Sequence, residues 1–264
     1  MDLGLDGRLA LVTGAGVGIG RAAALVMAGE GANLALVSRS TGNLDETADR
    51  ARALGVDAET WTADLAAEGE GERVVEAAHE RFGRLDALVN TVGPTERSEG
   101  ILDQDDELWA RTYDALLMSA VRTCRAAVPI MKEAGVGAIV NTSAMSIRHW
   151  IPLLAHYSSA KAALAHFTKN LAREFAHDGI RANAVMPGMT ASEPIRERMA
   201  KALEEKGMTE AEYVEDANRR YGHVTWADRF GEPEEVGNVI AFLCSDKASY
   251  VNGAWWNVDG GTSF

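Results

Sequence analysis

The sequence predicts an α/β fold: a doubly wound, mostly parallel sheet of seven strands with helices on both faces. Short apolar runs suited to buried strands recur at Leu9 to Val12, Asn33 to Val37, Ala58 to Thr62, Ala87 to Val89, Ala138 to Asn141, Ala182 to Val185 and Ala254 to Val258. Longer amphipathic segments separate them. Parallel strands need crossover connections, and those are usually helical, so the alternation points to a sheet covered on both sides. No Pro/Gly/Ser-rich linker, charge block or low-complexity break interrupts the pattern, and residues 1–264 read as one domain.

The bulk properties narrow the function classes. The chain has 264 residues, enough to bury a substantial core. Its 26 basic and 39 acidic residues leave a formal charge of −13, which opposes attraction to nucleic acid and to anionic membrane surfaces. A small-molecule substrate is the better expectation. Cys124 and Cys244 lie in apolar helical contexts without metal-ligand spacing, which predicts buried free thiols in a reducing compartment and no metal site. The first eight residues carry two aspartates and no apolar stretch, unlike a signal or transit peptide, and no apolar run approaches the ~20 residues of a membrane span. A cytoplasmic location follows as an expectation.

The first strand leads into Thr13-Gly14-Ala15-Gly16-Val17-Gly18-Ile19-Gly20, and a helical run begins at Arg21. Glycines at such a turn let the backbone approach a pyrophosphate, while the amides and dipole of the helix favour its charge. Gly14, Val17, Gly18, Ile19 and Gly20 are therefore candidate cofactor contacts; the alternative is a tight turn that needs glycine for geometry alone.

The second strand ends in Ser38-Arg39-Ser40, where an acid would hydrogen-bond the adenosine ribose of NAD. No acid is there. Ser38, Arg39 and Ser40 leave room for a 2′-phosphate, and the guanidinium fork matches its oxygens. NADP(H) is thus the preferred cofactor, with NAD(H) open if Arg39 stacks on adenine or points to solvent.

Further along, Tyr157-Ser158-Ser159-Ala160-Lys161 opens a helix-prone segment, and a spacing of four sets Tyr157 and Lys161 on one face. A phenol with its pKa near ~10 is a poor acid-base catalyst at neutral pH, and a nearby ammonium lowers it by favouring the phenolate. Just before it, the loop Arg148 to His156 is placed to line a substrate pocket. Trp150, Leu153 and Leu154 favour an apolar or ring-containing substrate. His149, His156 or Arg148 would engage a polar group on it or serve as structural donors.

After the sixth strand, Glu193 to Tyr221 is charged, helix-prone and longer than such connections usually run. With its flanks, at 190–222, it fits a lid over the site or a solvated surface helix pair.

Taken in order, the glycine turn, Asp64-Leu65 after the third strand, Asn90-Thr91-Val92-Gly93 after the fourth, the Tyr157 to Lys161 helix and Asn183-Ala184-Val185-Met186-Pro187-Gly188 resemble the short-chain dehydrogenase/reductase family over nearly the whole chain. The resemblance implies a Rossmann fold and NAD(P)-dependent hydride transfer between nicotinamide and a carbonyl or secondary alcohol. It implies that Tyr157 exchanges a proton with the substrate oxygen, and that Lys161 binds the nicotinamide ribose and lowers the Tyr157 pKa. Asp64 and Leu65 would approach adenine. Asn90, Val92 and Gly93 would support the cofactor, and Pro187, Gly188, Met189 and Thr190 would hold the carboxamide. The C-terminal Asn252 to Gly261 matches a region through which members pack, implying a homo-tetramer or homo-dimer.

Two departures matter. The family's serine falls thirteen residues before the tyrosine, which here is Ala144, flanked by Ser143 and Ser146. In an extended chain Ser146 faces the same side as Ala144 and Ser143 the opposite one; either could substitute. In the helix read from Trp109 to Lys132, an asparagine used in a proton relay is replaced by Leu116. These losses motivate a second reading, a dinucleotide-binding sensor or scaffold with impaired catalysis.

Overall fold

The computed structural model describes residues 2–263 except 94, 95 and 97. Its strands and helices in chain order are β1 (Leu9–Thr13), α1 (Gly18–Gly29), β2 (Asn33–Ser38), α2 (Thr41–Arg52), β3 (Ala58–Thr62), α3 (Glu70–Phe82), β4 (Ala87–Asn90), α4 (Asp106–Tyr113), α5 (Ser119–Ala134), β5 (Gly137–Thr142), α6 (Ala155–Glu174), β6 (Ile180–Pro187), α7 (Glu193–Lys206), α8 (Glu210–Tyr221), β7 (Val224–Thr225), α9 (Pro233–Cys244), β8 (Trp255–Val258) and β9 (Thr262–Ser263). Seven strands form one parallel sheet in the order β3-β2-β1-β4-β5-β6-β8, while β7 and β9 make a small antiparallel pair.

Alternation along the central strands assigns each side chain to a face. Ala10 and Val12 of β1 pack with Met27 of α1 and Ile240 of α9 in one cluster. Leu9 and Leu11 pack with Val74 of α3 and Met131 of α5 in the other. That is the doubly wound arrangement the apolar runs predict, since each strand must bury both faces. Packing of α1 on α9 is close: a Cβ on Gly237 would come within 3.0 Å of the Ala23 amide.

Strand order reverses between β1 and β4, which both flank the start of the fold's first crossover. In open α/β sheets ligands settle beyond the carboxyl ends of the strands at such a point.

The helix read from Trp109 to Lys132 is not continuous. It breaks after Tyr113 into a wide turn over Asp114–Met118 before α5 begins. The hydroxyl of Ser119 bonds the Ala115 carbonyl at 2.6 Å, and the Arg122 guanidinium reaches Ala66 O at 2.8 Å. Buried positions still recur four apart through the wide turn, at Leu108, Thr112, Leu116, Ala120 and Cys124, so the pattern alone reads straight. Leu116, in that turn, is buried.

Both thiols, Cys124 and Cys244, are buried and unpaired. Burial pushes each up to about 12, which keeps them unreactive near neutral pH. Among the described residues no helix is long and apolar enough to cross a membrane, and no group of side chains could hold a metal ion.

Candidate functional site

One cavity of about 650 Å³ lies beyond the carboxyl ends of the strands, and it joins the glycine turn to Tyr157 and Lys161. Its glycine end is dictated by backbone contacts. Gly14 has φ +67°, and a Cβ there would meet Thr91 Oγ1 at 2.9 Å. A Cβ on Gly20 would lie 2.3 Å from Gly14 O, so α1 can begin this close to β1 only with glycine at both positions. The cap residue of α1, Val17, offers no side-chain acceptor, which leaves first-turn amides for an anion. Gly14, Val17, Ile19 and Gly20 line the cavity, whereas Gly18 does not. The Gly18 amide donates instead to Glu193 Oε2 at 2.7 Å.

At the end of β2, Ser38 and Arg39 line the cavity. Ser40 does not; it is the N-cap residue of α2, and its amide donates to Ser38 Oγ at 3.4 Å. Asp64 and Leu65 line the cavity from the loop after β3, as do Val92 and Gly93 after β4. Asn90 is buried away from it. Its Nδ2 donates to Asn141 Oδ1 and its Oδ1 accepts from Thr123, each at 2.9 Å, so it stitches β4 to β5 and α5. Pro187, Gly188, Met189 and Thr190 complete this wall. A Cβ on Gly188 would come within 2.7 Å of Asp259 Cα, so that turn too is fixed by backbone packing.

At the reactive end, α6 brings Lys161 Nζ to 5.9 Å from the Tyr157 ring centroid. Lys161 is among the largest fully buried side chains. Its ammonium donates to Thr142 O at 2.7 Å and Val92 O at 3.1 Å. Burial pushes it down to about 7, because the charged form loses its hydration.

The chain is extended at Ala144 but not beyond it: Met145–Arg148 forms a 3₁₀ turn, and Ser143, Ala144 and Ser146 all line the cavity. The two hydroxyls differ in their bonding. Ser143 Oγ donates to Lys161 O at 2.8 Å, so it is committed to the fold. Ser146 Oγ is buried with no hydrogen-bond partner among the described residues.

The model for the family described as enoyl-(acyl carrier protein) reductase matches residues 14–263. A 3-oxoacyl-(acyl-carrier-protein) reductase of Thermotoga maritima is 32% identical over 97% of this chain and 98% of its own length. Levodione reductase of Leifsonia aquatica is 35% identical over 97% of this chain and 94% of its own. The crystal structure of L-sorbose reductase from Gluconobacter frateurii, complexed with NADPH and L-sorbose, superposes with a TM-score of 0.91 at 34% identity, covering 99% of this chain and 98% of that one. The chain belongs to the short-chain dehydrogenase/reductase family. It is accordingly an NAD(P)-dependent oxidoreductase acting on carbonyl and alcohol groups, and nothing in the comparisons favours a sensor or scaffold.

Against that family frame, the loop before Tyr157 departs from the expectation drawn from its composition. Trp150 is 81% exposed, Leu153 is half-buried and His156 is buried against the edge of Trp109, and none of the three lines the cavity. Ile151 and Leu154 line it instead. The cause is a 3₁₀ turn over Pro152–Leu154, held by Gln104: its Nε2 donates to Pro152 O at 2.8 Å and its Oε1 accepts from the His156 amide at 3.1 Å. Burial, then repulsion from His223, pushes His149 down to about 4, and burial lowers His156 as well, so both imidazoles are neutral at pH 7.

Several lining residues carry no motif. Ala115 comes from the wide turn, and Ile195, Arg198 and Tyr221 come from α7 and α8. The one signal for them in the sequence is helical spacing, which puts Ile195 and Arg198 on one face of α7.

Proposed function

We propose that this enzyme uses NADP(H) to interconvert a ketone and a secondary alcohol on an apolar or cyclic small molecule, with Tyr157 as the acid-base group. The observation that carries the reading is Tyr157 beside the buried Lys161 in the same cavity as the glycine turn. The residues fit a dinucleotide. The glycine turn would hold the diphosphate, Ser38 and Arg39 the 2′-phosphate, Asp64 and Leu65 the adenine, and Val92, Gly93 and Pro187 to Thr190 the nicotinamide half. When bound, the nicotinamide supplies or takes the hydride.

The chain's own residues do the rest. In the reductive direction the Tyr157 hydroxyl gives its proton to the substrate oxygen, and in the oxidative direction its phenolate takes one. Lys161 holds the ribose and, when charged, stabilises the phenolate. Ser146 Oγ is the donor for the substrate oxygen in place of the absent serine at Ala144, because Ser143 is already engaged. Met145, Ile151, Leu154 and Ile195 support an apolar substrate by excluding water. The segment 190–222 acts as a lid. The preference for NADP(H) is supported by Arg39 and by the NADPH in L-sorbose reductase; a homo-tetramer or homo-dimer in the cytoplasm completes the reading.

The test is a parallel fluorescence titration with NADPH and NADH, followed by turnover of a panel of cyclic and aromatic ketones and alcohols with the tighter binder. Tight NADPH binding with turnover is expected, and Arg39→Asp should cut the NADPH preference about tenfold or more, the scale of one charge-assisted phosphate contact. An unchanged preference refutes the role of Arg39, and binding without any turnover refutes the proposed activity.

A further inference from the structure

An acid from the lid sits on the anion cradle. The Gly18 amide, in the first turn of α1, donates to Glu193 Oε2 at 2.7 Å. The other carboxylate oxygen lies 3.5 Å from the Arg21 guanidinium. The fit around this contact is close, since a Cβ on Gly18 would meet Ser192 Cβ at 3.2 Å. Two features of α1 explain the attraction: its cap residue, Val17, offers the first-turn amides no acceptor, and its dipole favours negative charge at this end.

We propose that Glu193 is an internal competitor for the diphosphate of the dinucleotide, so that cofactor entry expels its carboxylate and thereby frees the lid. The proposal rests on the assignment of the glycine turn as the diphosphate cradle. The neighbouring Ile19 and Gly20 line the cavity, so a carboxylate held on the Gly18 amide would lie beside a diphosphate bound at this turn and be repelled by it. Arg21 is not stranded by the exchange, because its Nε also donates to Gly16 O at 2.9 Å and its Nη1 lies 3.2 Å from Glu46. The lid is lightly held at this end: α7 contains no fully buried residue, Ile195 packs only in part against the Ala191, Val214, Ala217 and Phe230 cluster, and Arg196 pairs with Glu232 at the surface. Binding therefore couples the phosphate end of the cavity to the mobility of the helix that carries Ile195 and Arg198 over it.

The sign of one substitution separates this from a purely structural tie. Glu193→Ala should tighten NADPH binding threefold or more in a fluorescence titration of the full-length protein, with Glu193→Gln intermediate because the amide oxygen still accepts but carries no charge. Inorganic pyrophosphate, used alone as a competitor of a bound fluorescent nucleotide, should gain affinity in the same order. Hydrogen exchange over 193–206 should rise in Glu193→Ala without dinucleotide, toward the level NADPH produces in the wild type. If Glu193 merely fastens the lid, its removal weakens NADPH binding or leaves it unchanged, and either result overturns the proposal. A wild-type protein that binds neither NADPH nor NADH overturns the cradle assignment itself, and this proposal with it, whereas normal wild-type binding with unimproved variants overturns the competitor alone.

Discussion

The two walls of the cavity are held in different ways. On one side, the glycine turn, the ends of β1, β4, β5 and β6 and the start of α6 rest on strands whose side chains are almost wholly buried. On the other, α7 buries nothing completely and α8 buries only Val214 and Ala217, which join Ala191 and Phe230 in a small separate cluster. On the proposed mechanism the sheet-built wall carries the groups that must be placed to within fractions of an ångström for chemistry, while α7 and α8, the proposed lid, carry groups that need only surround a ligand. Elements with few buried contacts sit at the low-stability end of a structure, where motion is least costly.

The sharpest way to break this comparison is to remove one hydroxyl from each wall. Tyr157→Phe should lower kcat about a hundredfold or more while NADPH affinity stays within about threefold, because a positioned proton donor is worth roughly 10²–10⁴ in rate. Tyr221→Phe, on the lid side of the same cavity, should change kcat by less than about threefold. Equal losses in steady-state kinetics would mean that the lid contributes to the reacting atoms and that the division between the walls is wrong.

The same division explains what could be read in advance. The strands, the glycine turn and the Tyr157–Lys161 pair are legible because each is enforced locally: Gly14 and Gly20 by close backbone approach, the pair by helical spacing, the strands by burial on both faces. The loop before Tyr157 is not. Trp150, Leu153 and His156 look like pocket residues by composition, yet Gln104, which is 53 residues from Tyr157 in the chain, pins the turn so that Ile151 and Leu154 face the cavity. The alternatives at the missing serine are of the same kind. Extended geometry would have set Ser146 and Ser143 on opposite sides, whereas the 3₁₀ turn brings both to the cavity and the two differ in bonding, Ser143 to Lys161 O and Ser146 to no described group.

A smaller effect tests that distinction. Ser146→Ala should reduce kcat roughly tenfold to a hundredfold, near the lower end for losing one preorganised donor to a reacting oxygen, with Tm unchanged. Ser143→Ala should instead cost about 1 kcal/mol of stability, through the lost buried bond to Lys161 O, and should alter kcat less than Ser146→Ala does. If the two serines exchange these signatures in thermal melts and kinetics, Ser143 is the substrate donor and the unpartnered hydroxyl of Ser146 has no role in the chemistry.

A last effect concerns a group that belongs wholly to the sheet-built wall. With the Lys161 amine pushed down to about 7 by burial, against 10.5 as its ordinary value, the unfolded chain binds a proton that the folded protein lacks between those two pH values. Stability from this group therefore rises with pH across that window: the burial penalty is fully present below pH 7 and fades as pH approaches 10.5. Lys161→Met has no such titration. Measured by denaturant unfolding without cofactor, wild type should gain about 1 kcal/mol on Lys161→Met for each pH unit between 7.5 and 9.5. A flat difference would mean that the carbonyls of Val92 and Thr142 hold the ammonium charged against its burial. The electrostatic support for a Tyr157 phenolate would then be built into the folded chain at neutral pH, and the rigid wall would be ready for chemistry before any ligand arrives.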